Sequence, residues 1–177
     1  MKKLFILLLA FVLLACGSNQ LADMHEYEGF DDQNHVFIET SMKEVDQKIG
    51  KNETFAVYFG FAKCPWCIEA VPILNEVAKE NDASVYYVNT RKDASWQSNI
   101  DIDDYDLFVK DFGEYVPYDE NGIKHLYTPH VFFIKDGKVV YEHSYTVEDH
   151  DATKREMTEE EKAILKEYYT EGFQNLE

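Results

Sequence analysis

Cysteine is scarce in this 177-residue chain: there are three, Cys16, Cys64 and Cys67. The last two are only three positions apart, too close to staple distant parts of a fold, which argues against a disulfide-framework protein. A structural zinc site needs four ligands. No second C-x-x-C exists, and the six histidines are scattered, with none at paired-ligand spacing near Cys64. Asp149-His150-Asp151 has ligand-type residues but no further partners, and reads as a solvated loop. No metal and no cofactor are expected. Positive charge is also short, with 17 Lys plus Arg against 34 Asp plus Glu and a net charge of −17. Such acidity argues against nucleic acid as a partner and against a domain lying flat on an anionic bilayer. No segment repeats, none is of low complexity, and no apolar run reaches the roughly 20 residues of a membrane-spanning helix.

What is present suits one domain with appendages. Hydrophobic residues make up 45% and aromatics 15%, enough for a packed core. At the start, Met1, Lys2 and Lys3 precede the apolar run from Leu4 to Ala15. A basic start, a short apolar stretch and a small residue before the cut describe a secretory signal peptide. The run ends Leu13-Leu14-Ala15-Cys16, which resembles the lipobox of bacterial lipoproteins. That resemblance implies cleavage before Cys16 and a diacylglycerol on its thiol. The other readings are an ordinary cleavage site that happens to precede Cys16, or an uncut anchor. Two acyl chains, at about 0.8 kcal/mol per buried methylene, make a stable tether. Losing Lys2 and Lys3 leaves 15 of the 17 basic residues against 34 acidic ones, a net charge of −19. The expected organisation is a signal peptide over 1–15, a lipid-anchored flexible linker over 16–34, and a folded domain over 35–177. The domain would then sit on the extracytoplasmic face of the cell membrane, where disulfides persist.

Along the domain, Val36-Phe37-Ile38 is a short strand candidate, and Ser41-Met42-Lys43-Glu44 reads as a capping box opening a helix that Gly50 ends. Thr54 to Phe61 is a continuous apolar and aromatic run, the pattern of a strand buried on both faces. Cys64-Pro65-Trp66-Cys67 follows, and then Ile68, Val71, Leu74, Val77 and Ala78 recur at helical spacing. Ser84 to Val88 is the next strand, completing a β-α-β crossover. A helix is expected near Asp103 to Tyr115. Val131–Ile134 and Val139–Tyr141 read as a hairpin turning at Asp136-Gly137. Thr158-Glu159-Glu160-Glu161 is a second capping box, starting a helix to about Gln174.

The cysteines therefore fall where a buried strand passes into a helix. A free thiol with a pKa of about 8.5 is mostly protonated at neutral pH, and exchange requires the thiolate. At a helix start, unpaired N–H groups and the positive end of the dipole point at the Cys64 sulfur. Lys63 adds a cation, and Pro65 at the first helical position lacks a donor that would be orphaned anyway. Cys67, one turn in, is shielded and placed to resolve a mixed disulfide on Cys64.

The strand from Phe55 to Phe61, Cys64-Pro-Trp-Cys67, the following helix, and Thr128-Pro129 before Val131–Ile134 together resemble the thioredoxin superfamily, over roughly Val36 to Gln174. The resemblance implies an α/β, three-layer fold with a mixed sheet flanked by helices and a helical insertion before a cis-proline. It implies thiol–disulfide oxidoreductase activity, with Cys64 as nucleophile, Cys67 as resolving thiol, Pro129 as cis-proline and Thr128 as the backbone that pairs with bound peptide. From the residues alone, Pro129 could also be a trans proline opening a strand. Thr128 before the proline resembles reductases and isomerases, so reduction is the expected direction. Expected partners are exported cysteine-containing proteins or another redox protein, met by a monomer. The alternative is a scaffold lipoprotein of a transport or secretion system whose cysteines do not turn over. Tyr118 to Lys138 is similar to bacteriocin transport accessory proteins.

Two departures stand out. Thioredoxins carry a buried acid six positions before the first cysteine, and here that position is Tyr58, so proton transfer needs another path, such as water or Glu69. Forty positions separate Asn89 from Pro129, and the surplus holds Trp96, Tyr105, Phe108 and Phe112. It is read either as a lid near the active site or as a helix packed on the core. Trp66 is expected exposed, as a platform for peptide or a shaper of the loop, and His130 is expected at the surface. The Cys16→Ser chain is expected to lose incorporated fatty acid and leave the membrane fraction. Retention of both would refute lipidation.

Overall fold

The computed structural model describes residues 20–91 and 105–177. Cys16 and Trp96, and the expectations resting on them, lie outside these. The elements run β1 (Phe37–Glu39), α1 (Met42–Gly50), β2 (Phe55–Gly60), α2 (Pro65–Glu80), β3 (Val85–Asn89) and α3 (Tyr105–Phe112). A 3-10 turn (Gly113–Tyr115), β4 (His130–Lys135), β5 (Lys138–Ser144) and α4 (Glu159–Gln174) complete the order. The strands form one sheet in the order β1-β3-β2-β4-β5. β1, β3 and β2 run parallel, whereas β4 is antiparallel to β2 and β5 to β4. This is the mixed sheet of the thioredoxin-like α/β fold.

β2 is central because its sequence has no polar face to give to water, and all six of its residues are buried. Its alternate side chains serve two cores. Ala56 and Tyr58 join Val71, Leu74 and Val77 of α2 and Leu165 and Phe173 of α4. Val57 and Phe59 join Val45 of α1 and Phe108 and Phe112 of α3 on the other face. Three layers result.

Local chemistry sets the ends of the elements. Ser41 and Thr158 cap α1 and α4 in reciprocal boxes with Glu44 and Glu161. Asp136 and Gly137 both take positive φ, 51° and 72°, as a two-residue hairpin turn requires.

The segment from residue 20 to 34 is part of the domain rather than a linker. Leu21 bridges to Ile38, and Ala22, Met24, Tyr27 and Phe30 are buried in the core beneath α2. Polar ties fix it further: the Asn75 amide donates to Asp32 at 2.8 Å and its oxygen accepts from Val36 N–H at 3.1 Å. The folded unit thus begins at or before residue 20. α3 packs on the core as well, with Phe112 and Phe132 rings 4.4 Å apart. It covers the sheet face opposite α2, which argues against a lid for residues 105–115.

Gly172 on α4 lies against the Phe133 ring, where a methyl group would overlap the aromatic carbons. Gly172→Ala gains about 1 kcal/mol of helix propensity but overpacks the core at a cost of about 1–3 kcal/mol. A net loss in chemical denaturation is expected, and a gain would refute this packing.

Candidate active site

The chain leaves the centre of the sheet at Gly60 and turns once before α2. Cys64 N–H donates to Phe61 carbonyl at 3.1 Å, which places Cys64 as the N-cap of α2 with extended backbone, φ −81° and ψ 116°. Pro65 follows at the first position of the helix. The Cys64 sulfur accepts the backbone N–H of Cys67 at 3.2 Å, the contact an N-cap side chain makes to satisfy a free helix donor. Both cysteines are free thiols and both are buried, Cys64 2% exposed and Cys67 not at all.

A second element completes the site. The Thr128–Pro129 peptide bond is cis, and Thr128 meets the Cys64 sulfur twice. Its carbonyl accepts the thiol hydrogen at 3.5 Å, and its hydroxyl donates to the sulfur at 3.7 Å. Cys64, Cys67, Pro65, Thr128 and Pro129 are thus brought together from the strand–helix joint and the segment entering β4. Lys63 is exposed beside them.

The two sulfurs differ electrically. Burial pushes the Cys64 thiol up, but hydrogen bonds from the Cys67 thiol and N–H, the Thr128 hydroxyl and the Trp66 N–H outweigh it, and its pKa falls below the ordinary thiol value. Cys67 moves strongly the other way. Burial dominates, and the neighbouring Cys64 adds to it, so Cys67 is held as a neutral thiol. The Tyr58 hydroxyl lies against Cys67 and favours its thiolate, without reversing that direction. Tyr58 leans over Gly60, where any Cβ would collide with the phenol, so the strand's glycine makes room for the hydroxyl.

Other placements correct the sequence reading. Asp149-His150-Asp151 is not a solvated loop, since the His150 side chain is wholly buried. Its carbonyl accepts the Trp66 indole N–H at 3.3 Å, and its Nε2 meets Glu69 Oε1 at 3.1 Å. Trp66 is therefore half-buried and tethered rather than freely exposed. Glu69 is also held by Met157 N–H at 2.7 Å, so both of its oxygens are already engaged. His130 is buried too, stacked on Phe132 at 4.1 Å and paired with Glu142 at 2.6 Å on the α1–α3 face. Residues that sequence reasoning missed are Tyr27, Tyr87 and Tyr169, which share the core layer of Cys67 and lie near enough to interact with it electrostatically. Two exposed tyrosines, Tyr127 and Tyr145, stack at 5.4 Å on the rim beside Pro129. Among the described residues no group of three or more His, Cys, Asp or Glu side chains is placed to hold a metal ion.

No protein-family model matches the chain, and no curated protein does. Among solved structures, it is similar to one described as a candidate oxidoreductase with a thioredoxin fold, at 21% identity and a TM-score of 0.46 over 67% of this chain and 88% of that one. It is also similar to oxidised thioredoxin O2 from Arabidopsis thaliana, at 19% identity and a TM-score of 0.41 over 78% of this chain and 99% of that one.

In the reduced protein, iodoacetamide is expected to modify Cys64 alone, with a midpoint below the about 8.5 of a free thiol. Thr128→Val removes one donor and should move that midpoint upward. An unshifted midpoint in the native protein, or equal labelling of Cys67, contradicts the asymmetry.

Proposed function

We propose that this chain is a thiol–disulfide oxidoreductase acting through Cys64 and Cys67. Its dithiol reduces disulfides of exported proteins or of a redox partner. It is tethered through lipid on Cys16 to the extracytoplasmic face of the membrane. One observation carries the reading: two adjacent thiols are driven in opposite directions, one towards thiolate at a helix N-cap and one towards a shielded neutral form a turn deeper. Inert core cysteines have no use for such a difference.

The Cys64 thiolate attacks a substrate disulfide, forming a mixed disulfide and releasing one substrate thiolate, which takes up a proton. Cys67, once deprotonated, attacks the Cys64 sulfur, releases the second substrate thiolate and closes the Cys64–Cys67 disulfide. Two electrons pass from protein to substrate. The Thr128 backbone and the half-buried Trp66 flank the sulfur where a peptide would lie. The direction rests on Thr128 standing before Pro129, the tether on Leu13-Leu14-Ala15-Cys16, and a link to bacteriocin export on the likeness of Tyr118 to Lys138.

Cys64→Ser should abolish insulin reduction, and Cys67→Ser should accumulate a mixed disulfide visible without reductant. A scaffold would keep its partner in both variants and trap nothing. Glutathione equilibration should give a potential nearer the about −270 mV of reducing dithiols than the about −120 mV of strong oxidants. The reverse would overturn the direction.

A further inference from the structure

Exchange through Cys67 demands that a wholly buried thiol lose its proton, and Glu69 is engaged elsewhere. Tyrosine hydroxyls surround it instead. Tyr27 donates to Tyr87 at 3.1 Å, and Tyr27 and Tyr58 hydroxyls lie 3.2 Å apart. A phenol has one proton. Since Tyr27 spends its proton on Tyr87, Tyr58 must be the donor to Tyr27. With its own proton so used, Tyr58 meets the protonated Cys67 thiol as an acceptor, and it favours the thiolate as a donor only once the chain has reversed. While Cys67 keeps its proton, every donor in the chain therefore points away from the sulfur. At its far end Tyr87 lines a surface cleft of about 340 Å³ with Asp23, Glu39 and Glu44, and Glu39 is its register partner across β1 and β3.

We propose that the hydroxyls of Tyr58, Tyr27 and Tyr87 are the route by which Cys67 loses its proton, Tyr58 acting on the sulfur and Tyr27 and Tyr87 relaying. The inference rests on the exchange reading above. The S–H proton moves to the Tyr58 oxygen as Tyr58 passes its own to Tyr27, Tyr27 to Tyr87, and Tyr87 to water in the cleft. Each phenol ends with one proton, the water holds the one released, and the negative charge is on sulfur. The chain now points inward, so Tyr58 O–H donates to the thiolate it has produced. Burial raises the pKa of Tyr27, Tyr58 and Tyr87 alike, so no phenolate accumulates and the shift is concerted. The titratable groups facing Cys67 are Cys64 on its own turn, Tyr58 from β2, Tyr87 from β3, Tyr27 from the N-terminal segment and Tyr169 from α4. The Tyr169 hydroxyl has no hydrogen-bond partner among the described residues, so it stands outside the chain.

The test uses the full-length reduced protein and an aryl disulfide such as dithiobisnitrobenzoate in stopped flow. Cys64 releases one aryl thiolate, and Cys67 releases the second by resolving the mixed disulfide. In Tyr58→Phe and Tyr27→Phe the ratio of the second rate to the first should fall at least ~10-fold near pH 7, recovering with rising hydroxide. Tyr87→Phe, at the surface end, should show the same steepened pH profile. A purely structural role would leave the ratio and the profile unchanged, and that result overturns the route. A native protein with no second release overturns the exchange reading, and the route with it.

Discussion

The chemistry depends on one contact, the Cys67 backbone N–H on the Cys64 sulfur at 3.2 Å. It exists because β2 is buried on both faces at the centre of the sheet and delivers the chain to α2 at a fixed angle. Burial alone would make Cys64 a poorer thiolate. Hydrogen bonds win because several arrive together, and one comes from Thr128, sixty-four residues further on. Closing the sheet through β4 against β2 therefore completes the set of donors on the sulfur. A chain folded without β4 in place would lack the Thr128 donor and keep only those supplied by α2.

The same sheet imposes the opposite environment on Cys67. Tyr58 is a register neighbour of Tyr87, their rings stacked 5.4 Å apart, and both phenols turn into the layer beneath α2. Tyr27 closes the group from outside the sheet. Three hydroxyls in an apolar layer would be costly singly, since each unpaired polar group loses about 1–3 kcal/mol. Bonded to one another, they satisfy that need without a buried charge. A carboxylate at Tyr58 would carry a much larger desolvation cost in this aromatic layer. Gly60 is the local condition for the arrangement, because it leaves space for the Tyr58 hydroxyl.

Most of this frame was legible in the sequence because its signals are local. The apolar run of β2, the boxes at Ser41 and Thr158, Asp136-Gly137 and the C-x-x-C each announce themselves within a few residues. What was not legible depends on partners far along the chain. Ala22, Met24, Tyr27 and Phe30 follow neither a two-residue nor a 3.6-residue period and sit among acidic residues, so they read as a linker. Their burial comes from packing under a helix whose Asn75 binds Asp32 and Val36. His150 lies in a charged tripeptide, yet Glu69 and Trp66 pull it inside. The surplus aromatics before Pro129 were visible, but the face they would cover was not. Phe108 and Phe112 settled that by meeting Phe59.

A strongly acidic chain that maintains a low-pKa thiol presents an apparent contradiction, because a net charge of −17 opposes any new anion. Distance resolves it. Surface carboxylates act across water and salt, where interactions beyond about 8–10 Å are largely screened, whereas the donors on Cys64 lie at 3.2 and 3.7 Å in a site that excludes water. Near contacts in low dielectric outweigh the distant field. The field still acts on whatever approaches from solution, and it slows acidic partners and draws in basic ones. Selection by charge at long range and activation by hydrogen bonds at short range can then coexist in one molecule, since they operate over different distances.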